Sequence, residues 1–189
     1  MLRAFIVGLL FSTVTVVAHA ADNDNPVVVM ATSKGDIVIE LWADEAPITV
    51  ENFLRYADNN LYDNLIFHRV IPGFMVQGGG YDTDLVELSG YEPIKNEARP
   101  LLRNDRGTLA MARTNMIDSA TSQFFINLVD NDFLNQTGTS AAEFGYAAFA
   151  EVIEGMEVLD EIAAVPTTRR RQHQNVPIEP VMILSVTRR

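Results

Sequence analysis

The sequence predicts a mainly β fold, a closed antiparallel β-barrel of eight strands that is capped by two α-helices. Eight short runs of β-branched and aromatic residues alternate with turn formers, a pattern typical of barrels and sandwiches. Two other stretches repeat apolar residues at helical spacing. The last run, 181–186, could pair with the first and close the sheet, which would leave no exposed edge strand.

The strands are predicted from the β-type runs and from the turn residues that separate them. The first two runs flank Ser33-Lys34-Gly35, a hairpin signal, and the next two flank the turn pair Pro72-Gly73. Segment 78–106 is long, polar and rich in turn formers, so we predict loops there, with room for a short strand at Pro93-Ile94. The eight strands are expected at 27–32, 36–41, 65–70, 74–77, 108–112, 123–127, 147–152 and 181–186.

Both helices are predicted from a single apolar stripe. The first is expected to begin at Asp44-Glu45-Ala46-Pro47, because acidic residues and proline favour a first turn, and to end at Asn59-Asn60. Its stripe, at i, i+3, i+4 and i+7, consists of Val50, Phe53, Leu54 and Ala57. The second follows Gly155 over 156–163, with a stripe of Val158, Leu159 and Ile162. We expect the first helix to cover a mouth of the barrel.

The first twenty residues have the three parts of a secretory signal peptide. Arg3 precedes an apolar run, 4–17, which ends in the small-x-small sequence Ala18-His19-Ala20. A run of 14 residues is too short to span a membrane but suits a signal core. We therefore predict residues 1–20 as a cleaved signal peptide and residues 21–189 as one mature domain, free of the membrane. An uncleaved membrane anchor is the alternative.

Composition and charge limit the functional classes. The chain has 189 residues, of which 48% are hydrophobic, enough for one globular domain with its own core. Export without any cysteine means that packing, and not disulfides, must stabilise the fold. A net charge of −11 argues against nucleic-acid binding, because phosphates require a basic surface. Arg169-Arg170-Arg171 is a local exception, which its polar neighbours indicate to be a solvated loop.

Motifs for covalent or metal-dependent catalysis are absent from the sequence. It has no cysteine nucleophile, no Gly-x-Ser-x-Gly elbow, no phosphate-binding glycine loop and no His-Glu-x-x-His pair. Beyond the predicted signal peptide only His68 and His173 remain, too few for a histidine-based zinc site. No metal or organic cofactor is therefore implied, and a reaction that forms no covalent intermediate is favoured.

Segment 67–80 indicates a site. Strand alternation lets Arg69 and Gln77 emerge on a common face of two neighbouring strands, with Phe74 and Met75 close by. A permanently charged group beside an apolar patch is unusual within a sheet. The alternative is a strand arginine that is paired with a carboxylate.

Two segments resemble the signatures of the cyclophilins, the peptidyl-prolyl cis-trans isomerases built on a small closed β-barrel. The first is 67–79, Phe-His-Arg-Val-Ile-Pro-Gly-Phe-Met-Val-Gln-Gly-Gly, and the second consists of 107–114 with 122–127. The similarity runs from about 28 to 186 and is greatest to the periplasmic cyclophilins of Gram-negative bacteria. The resemblance implies an isomerase that acts on exported proteins in the periplasm.

The resemblance also implies roles for particular residues. Arg69 matches the catalytic arginine, Gln77 the glutamine that supports it and the substrate carbonyl, and His68 the histidine next to the arginine. Phe74, Met75, Phe125 and Leu134 match the proline-ring pocket, and Phe133 stands beside it. Gln123, with the backbone of Ala112 and Arg113, matches the part that aligns the substrate. Tyr146 stands where many relatives have a histidine that lines the pocket.

The implied partners are proline-containing polypeptides in an unfolded or extended state. A monomer is expected, because no extra interaction segment is visible. Phe133 replaces the tryptophan by which many eukaryotic relatives bind cyclosporin, so weak cyclosporin binding is implied. Arg113 replaces a common asparagine, which implies only a change in sequence preference.

Two other functions are compatible with the residues alone. The same groove could hold unfolded chains as a chaperone without turnover. A small-ligand carrier of lipocalin type would need a hollow barrel, whereas the many large apolar residues on the predicted strands indicate a filled one.

Overall fold

The computed structural model describes residues 25–189, so the predicted signal peptide 1–20 and its cleavage site lie outside the described residues. This part of the chain holds ten strands, two α-helices and one 3-10 helix. In chain order they are β1 (Val27–Thr32), β2 (Gly35–Leu41), α1 (Pro47–Asp58), β3 (Arg69–Ile71), β4 (Met75–Gly78), β5 (Thr108–Met111), β6 (Phe124–Asn127), the 3-10 helix (Asp132–Leu134), β7 (Ala148–Glu154), α2 (Met156–Ala163), β8 (Thr167–Arg170), β9 (His173–Pro177) and β10 (Ile183–Arg188).

Eight of the strands form one antiparallel sheet, as the sequence predicted. Their order is β10-β1-β2-β7-β5-β6-β4-β3, and the last strand pairs with the first along most of its length. The two predicted helices are also present, over Pro47–Asp58 and Met156–Ala163. The mainly β, eight-stranded prediction is confirmed.

Closure of the barrel is less complete than predicted. The two ends of the sheet, β3 and β10, meet through a short bridge ahead of both strands and not through a ladder between them. Ile66 and Met182 form an isolated antiparallel bridge, and the Phe67 N–H donates to the Val181 carbonyl over 2.9 Å. The predicted strand 65–70 is therefore regular only from Arg69, because the residues before it turn across to the segment that precedes β10.

The prediction of a loop at Arg169-Arg170-Arg171 is wrong. Arg169 and Arg170 lie in β8, which pairs with β9 to form a separate two-stranded hairpin, and Arg171 occupies its turn with a φ of +55°. The Nη1 group of Arg170 donates a hydrogen bond of 2.8 Å to the Thr83 carbonyl, which ties the hairpin to the loop after β4. The hairpin escaped prediction because its strands are polar and short.

Helix α1 covers the interior of the curled sheet with the predicted stripe. Val50, Phe53, Leu54 and Ala57 are all buried, and the Phe53 ring lies 5.1–5.7 Å from three other rings, those of Tyr62, Phe124 and Phe149. These rings are fully buried. The interior is therefore filled by side chains, which opposes the hollow barrel that a lipocalin-type carrier requires.

The N-terminus of α1 is capped by a distant side chain. Both carboxylate oxygens of Glu97 accept hydrogen bonds, one from the Ile48 N–H at 3.2 Å and the other from the Thr49 N–H at 2.7 Å. A carboxylate there satisfies donors that have no partner inside the helix and complements the helix dipole. In residues 25–189, neither helix has the length and apolar character needed to cross a membrane.

Candidate active site

Arg69 and Gln77 lie opposite one another on neighbouring strands. They are direct partners in the β3–β4 ladder, so their side chains emerge on the same face of the sheet, as the alternation predicted. The Nη1 group of Arg69 donates a hydrogen bond of 3.4 Å to Gln77 Oε1, and Gln77 Nε2 donates one of 3.0 Å to Gln123 Oε1. We call these three side chains the Arg69–Gln123 row.

A cavity of about 270 Å³ opens on one side of this row, and we call it the Phe125 cavity. Its buried walls are Met75 from β4, Phe125 from β6 and Leu134 from the 3-10 helix. The Phe125 ring packs edge-on against Tyr146 at 5.6 Å. The rest of the lining is Arg69, Phe74, Gln77, Ala112, Arg113 and Tyr146. Apolar walls of Met75, Phe125 and Leu134 beside two arginines, Arg69 and Arg113, suit a ring held next to a polar bond.

Arg69 is the feature that separates a site from an ordinary sheet surface. Its side chain is half-buried, and its guanidinium carbon lies 6.0 Å from the centre of the Phe74 ring. Among residues 25–189, no carboxylate is within ion-pair distance of Arg69, whereas Arg103, Arg106 and Arg188 each have at least one. The alternative of a strand arginine neutralised by a carboxylate is therefore excluded for the described part of the chain.

The Phe125 cavity brings together nine of the predicted site residues, and three others lie outside its lining. Phe133 is 74% exposed, with its ring 5.6 Å from that of Phe74, so it stands at the rim. Gln123 reaches the cavity only through its hydrogen bond to Gln77. His68 lies elsewhere.

His68 lines a second cavity, of about 440 Å³, on the other side of the Arg69–Gln123 row. We call it the hairpin cavity, because its outer wall comes from the β8–β9 hairpin. The His68 side chain is buried, and its Nδ1 atom has no hydrogen-bond partner among the described residues. Burial, then His173 and Arg69, lower the pKa of His68 to about 4, so the imidazole is neutral at pH 7.

The rings of His68 and His173 both pack against Tyr81, each at 4.7 Å between ring centres. Neither Tyr81 nor His173 was predicted as a site residue. Within residues 25–189, no three side chains of His, Cys, Asp or Glu are grouped as a metal ion would require.

The side chain of Arg113 has a structural role that the sequence did not indicate. It donates hydrogen bonds to three carbonyls, those of Gly145 at 2.9 Å, Ala141 at 2.8 Å and Thr114 at 3.0 Å. Its guanidinium carbon also lies 4.9 Å from the centre of the Tyr146 ring. Arg113 therefore anchors the loop that delivers Tyr146 to the Phe125 cavity.

Buried asparagines position the other walls of this cavity. The Nδ2 group of Asn104 donates to the carbonyls of Leu134 at 3.3 Å and Tyr146 at 3.2 Å. The Nδ2 group of Asn131 donates to the Phe74 carbonyl at 3.0 Å. Because Asn104 and Asn131 are distant in sequence from the residues that they hold, no local pattern could have indicated them.

The chain resembles known proteins along nearly its whole described length. The family model of the cyclophilin-type peptidyl-prolyl cis-trans isomerases matches residues 27–188. Peptidyl-prolyl cis-trans isomerase B of Escherichia coli is 57% identical over 156 residues, which are 82% of this chain and 95% of that protein. The peptidyl-prolyl cis-trans isomerase of Acinetobacter baylyi is 55% identical over 179 residues, 95% of this chain and 90% of the relative.

The fold has solved counterparts as well. A crystal structure of a cyclophilin-type isomerase from Cryptosporidium parvum, obtained in the presence of the dipeptide Ala-Pro, matches with a TM-score of 0.71 at 28% identity. The match covers 86% of this chain and 98% of that one. With a family model over 27–188 and relatives more than half identical, the chain belongs to the cyclophilin-type peptidyl-prolyl cis-trans isomerases.

Proposed function

We propose that this isomerase acts on X–Pro bonds in extended segments of exported polypeptides, in the periplasm, with Arg69 as the principal catalytic donor. The observation that carries the proposal is the half-buried guanidinium of Arg69, with no carboxylate partner in the described chain, at the wall of the Phe125 cavity. The Ala-Pro dipeptide used with the Cryptosporidium parvum relative supports a proline ring as the occupant.

The reaction is rotation about a bond, and no bond is made or broken. The barrier is about 18–20 kcal/mol, and the unaided X–Pro bond isomerises over tens to hundreds of seconds. At the twisted transition state the amide loses resonance, and the proline nitrogen regains a localised lone pair. A donor aimed at that nitrogen stabilises the twisted amide more than either planar form, and only such differential binding accelerates a reaction.

Arg69 is suited to this task because its guanidinium stays protonated and presents several donors in a rigid plane. The hydrogen bond to Gln77, itself held by Gln123, restricts the guanidinium on the face of the sheet that carries the cavity. Phe74, Met75, Phe125 and Leu134 are then the walls that hold the proline ring while the preceding residue turns.

The magnitudes are consistent with one strong donor and a holding pocket. An acceleration from about 10⁻² to about 10³ per second requires about 7 kcal/mol. One preorganised donor can supply about 3 kcal/mol, by analogy with the loss of a single oxyanion-hole donor. Fixing the ring in a partly dry pocket must supply the rest.

Two further properties belong to the proposal. The exposed Phe133 ring has no N–H group to donate, which supports weak binding of cyclosporin. We also propose that the protein acts as a monomer.

The filled interior leaves the surface groove around Arg69 as the place where a polypeptide binds.

The test is an NMR exchange measurement on a short Ala-Pro peptide. We expect Arg69→Ala to lower kcat/KM by about 100-fold, the factor that corresponds to about 3 kcal/mol, with little change in peptide affinity. Arg188→Ala, which removes an exposed arginine paired with Asp58, is the matched control and should retain activity. Wild-type turnover in Arg69→Ala would contradict the proposed role, and peptide binding without any acceleration in the wild type would favour a chaperone.

A further inference from the structure

The hairpin cavity adjoins the Phe125 cavity through shared residues. Arg69 and Gln77 line both cavities, so the Arg69–Gln123 row lies between them. A polypeptide that places its proline in the Phe125 cavity must continue past this row in one chain direction. Side chains of neighbouring residues then come within reach of the hairpin cavity, because successive residues lie only about 3.3 Å apart along an extended chain.

The lining of the hairpin cavity is entirely polar or aromatic. Beyond His68, Tyr81 and the Arg69–Gln123 row, four consecutive residues of the hairpin complete it: Gln172, His173, Gln174 and Asn175. The side chains of Gln172 and Gln174 are exposed, whereas the hydrogen bond from Arg170 to the Thr83 carbonyl holds the hairpin in place. The backbone of the hairpin is therefore held in place, while the exposed side-chain amides of Gln172 and Gln174 can adjust to a ligand.

The charges of this cavity are one-sided. Arg69 is a permanent cation, and no carboxylate contributes to the lining. The amides of Gln172, Gln174 and Asn175 offer N–H donors toward an anion. Glu87 forms an isolated bridge with Tyr81 and, after burial, helps to raise the pKa of Tyr81, but it lies outside the lining. A ligand with acceptor oxygens meets donors here, whereas a cation meets Arg69 without a carboxylate to balance it.

We propose that the hairpin cavity is a second substrate subsite, which binds an acidic side chain, Asp or Glu, flanking the proline. The inference rests on the proposed function, since it assumes that the Phe125 cavity holds the proline. Its consequence is a substrate preference: peptides with a carboxylate next to X–Pro turn over faster than peptides with an ammonium group there.

The experiment measures kcat/KM by NMR exchange on two peptide sets, with Glu, Gln, Ala or Lys either before or after proline. An exchange measurement avoids a coupling protease, whose own preference would distort the comparison. We expect the wild type to prefer Glu over Lys by about fivefold in one of the two sets, the size typical of a half-exposed charge interaction. The preference should shrink in high salt, because such pairs are screened.

The matched variants place a carboxylate inside and outside the subsite. Gln174→Glu puts one into the hairpin cavity, where it balances the charge of Arg69, and we expect it to abolish the preference for Glu over Lys. Gln136→Glu makes the same change at a glutamine outside the lining of both cavities and should keep the wild-type preference. Both positions tolerate polar side chains, since neither is buried.

The outcomes separate this inference from the proposed function. A wild type that accelerates no peptide overturns the proposed function. A wild type that accelerates all peptides equally, or a Gln174→Glu variant that keeps the preference for Glu, overturns the subsite and leaves the isomerase activity in place. An equal loss of the preference in Gln136→Glu would assign the effect to net charge and would also overturn the subsite.

Discussion

At the scale of single residues, the candidate active site depends on side chains that contact residues distant in the sequence. Arg69 is held by Gln77 and through it by Gln123, so the proposed catalytic donor is positioned from β4 and from the residue just before β6. Asn104 holds the carbonyls of Leu134 and Tyr146, which fixes two walls of the Phe125 cavity from a loop. Removing one partner of such a hydrogen bond is costly, because the other partner is left buried and unsatisfied.

Asn104→Ala should weaken both folding and substrate binding. The variant leaves the carbonyls of Leu134 and Tyr146 without the Asn104 donor, so we expect the free energy of unfolding to fall by about 2 kcal/mol. We also expect KM for an Ala-Pro peptide to rise more than kcat falls, since the walls of the pocket move while Arg69 keeps its place. Urea denaturation and NMR exchange measure the two effects. Asn59→Ala, on an exposed amide, is the control, and an unchanged KM in Asn104→Ala would contradict the positioning role.

His68 should make stability depend on pH. Its pKa is about 4 in the folded protein, below the ordinary value of 6.5, because burial disfavours the charged form. The unfolded chain therefore takes up the proton first, so the contribution of His68 is complete above about pH 7 and is lost as the pH falls from 6.5 towards 4. The loss amounts to about 3 kcal/mol at full protonation, from 1.36 kcal/mol per pKa unit.

Urea denaturation at pH 7 and pH 4.5 on the wild type and on His68→Gln measures this contribution. We expect the variant to lose less stability over that interval, because glutamine does not titrate. The pKa of Asp58 is lowered by its hydrogen bond from Arg188, so Asp58 also contributes to acid sensitivity, but equally in both proteins. Identical losses in the two proteins would show that His68 is not the titrating group.

At the scale of elements, single side chains bond a helix and a hairpin to distant loops. Helix α1 has no acidic residue in its first turn and no side-chain cap of its own, and Glu97 supplies both from the long segment between β4 and β5. The hairpin β8–β9 is likewise tied to the loop after β4 by Arg170. Each tie joins an element to a segment that the sequence indicated only as a loop.

Glu97→Ala should destabilise the protein without disturbing the site. We expect a loss of about 1 kcal/mol in the free energy of unfolding, the usual cost of removing a helix cap, because the N–H groups of Ile48 and Thr49 lose their acceptor. Activity on an Ala-Pro peptide should stay at the wild-type level. Glu45→Ala, on an exposed carboxylate just before the helix, is the control in urea denaturation. Equal stability of the two variants would contradict the capping role.

At the scale of the whole molecule, one filled core supports a surface site. The aromatic rings of α1 and of the sheet occupy the interior, so the residues proposed to bind substrate lie on the surface, around β3, β4 and β6. The described residues contain no cysteine, so the fold needs neither an oxidising nor a reducing compartment. The prediction of a periplasmic location therefore rests on the predicted signal peptide, 1–20, and not on the fold.

Export should be visible in the mature product. Expression of the full chain in a Gram-negative host is expected to yield a periplasmic protein that begins at Ala21, because the apolar run 4–17 and Ala18-His19-Ala20 form a signal core and cleavage site. Cell fractionation and N-terminal sequencing measure this result. Replacing Ala18 and Ala20 by bulky residues should block cleavage. A cytoplasmic product that keeps Met1 would contradict the prediction.

The sequence alone was sufficient for the family, for the eight main strands and two helices, and for the side chains that line the Phe125 cavity. Alternation along 67–77 and the helical stripe from Val50 to Ala57 are local patterns, and burial of one face enforces them in the fold. The shared face of Arg69 and Gln77 follows from that period of two.

Only the tertiary structure decided how the barrel closes, where His68 lies and what surrounds the Phe125 cavity. The bridge between Ile66 and Met182, the cap from Glu97 and the hairpin cavity behind Arg69 join residues that are tens of positions apart. The spacing of apolar residues shows which face of a helix or strand is buried. It carries no information about which distant residues pack against that face. Those contacts depend on how the elements pack together, and here they decide which groups stand around Arg69.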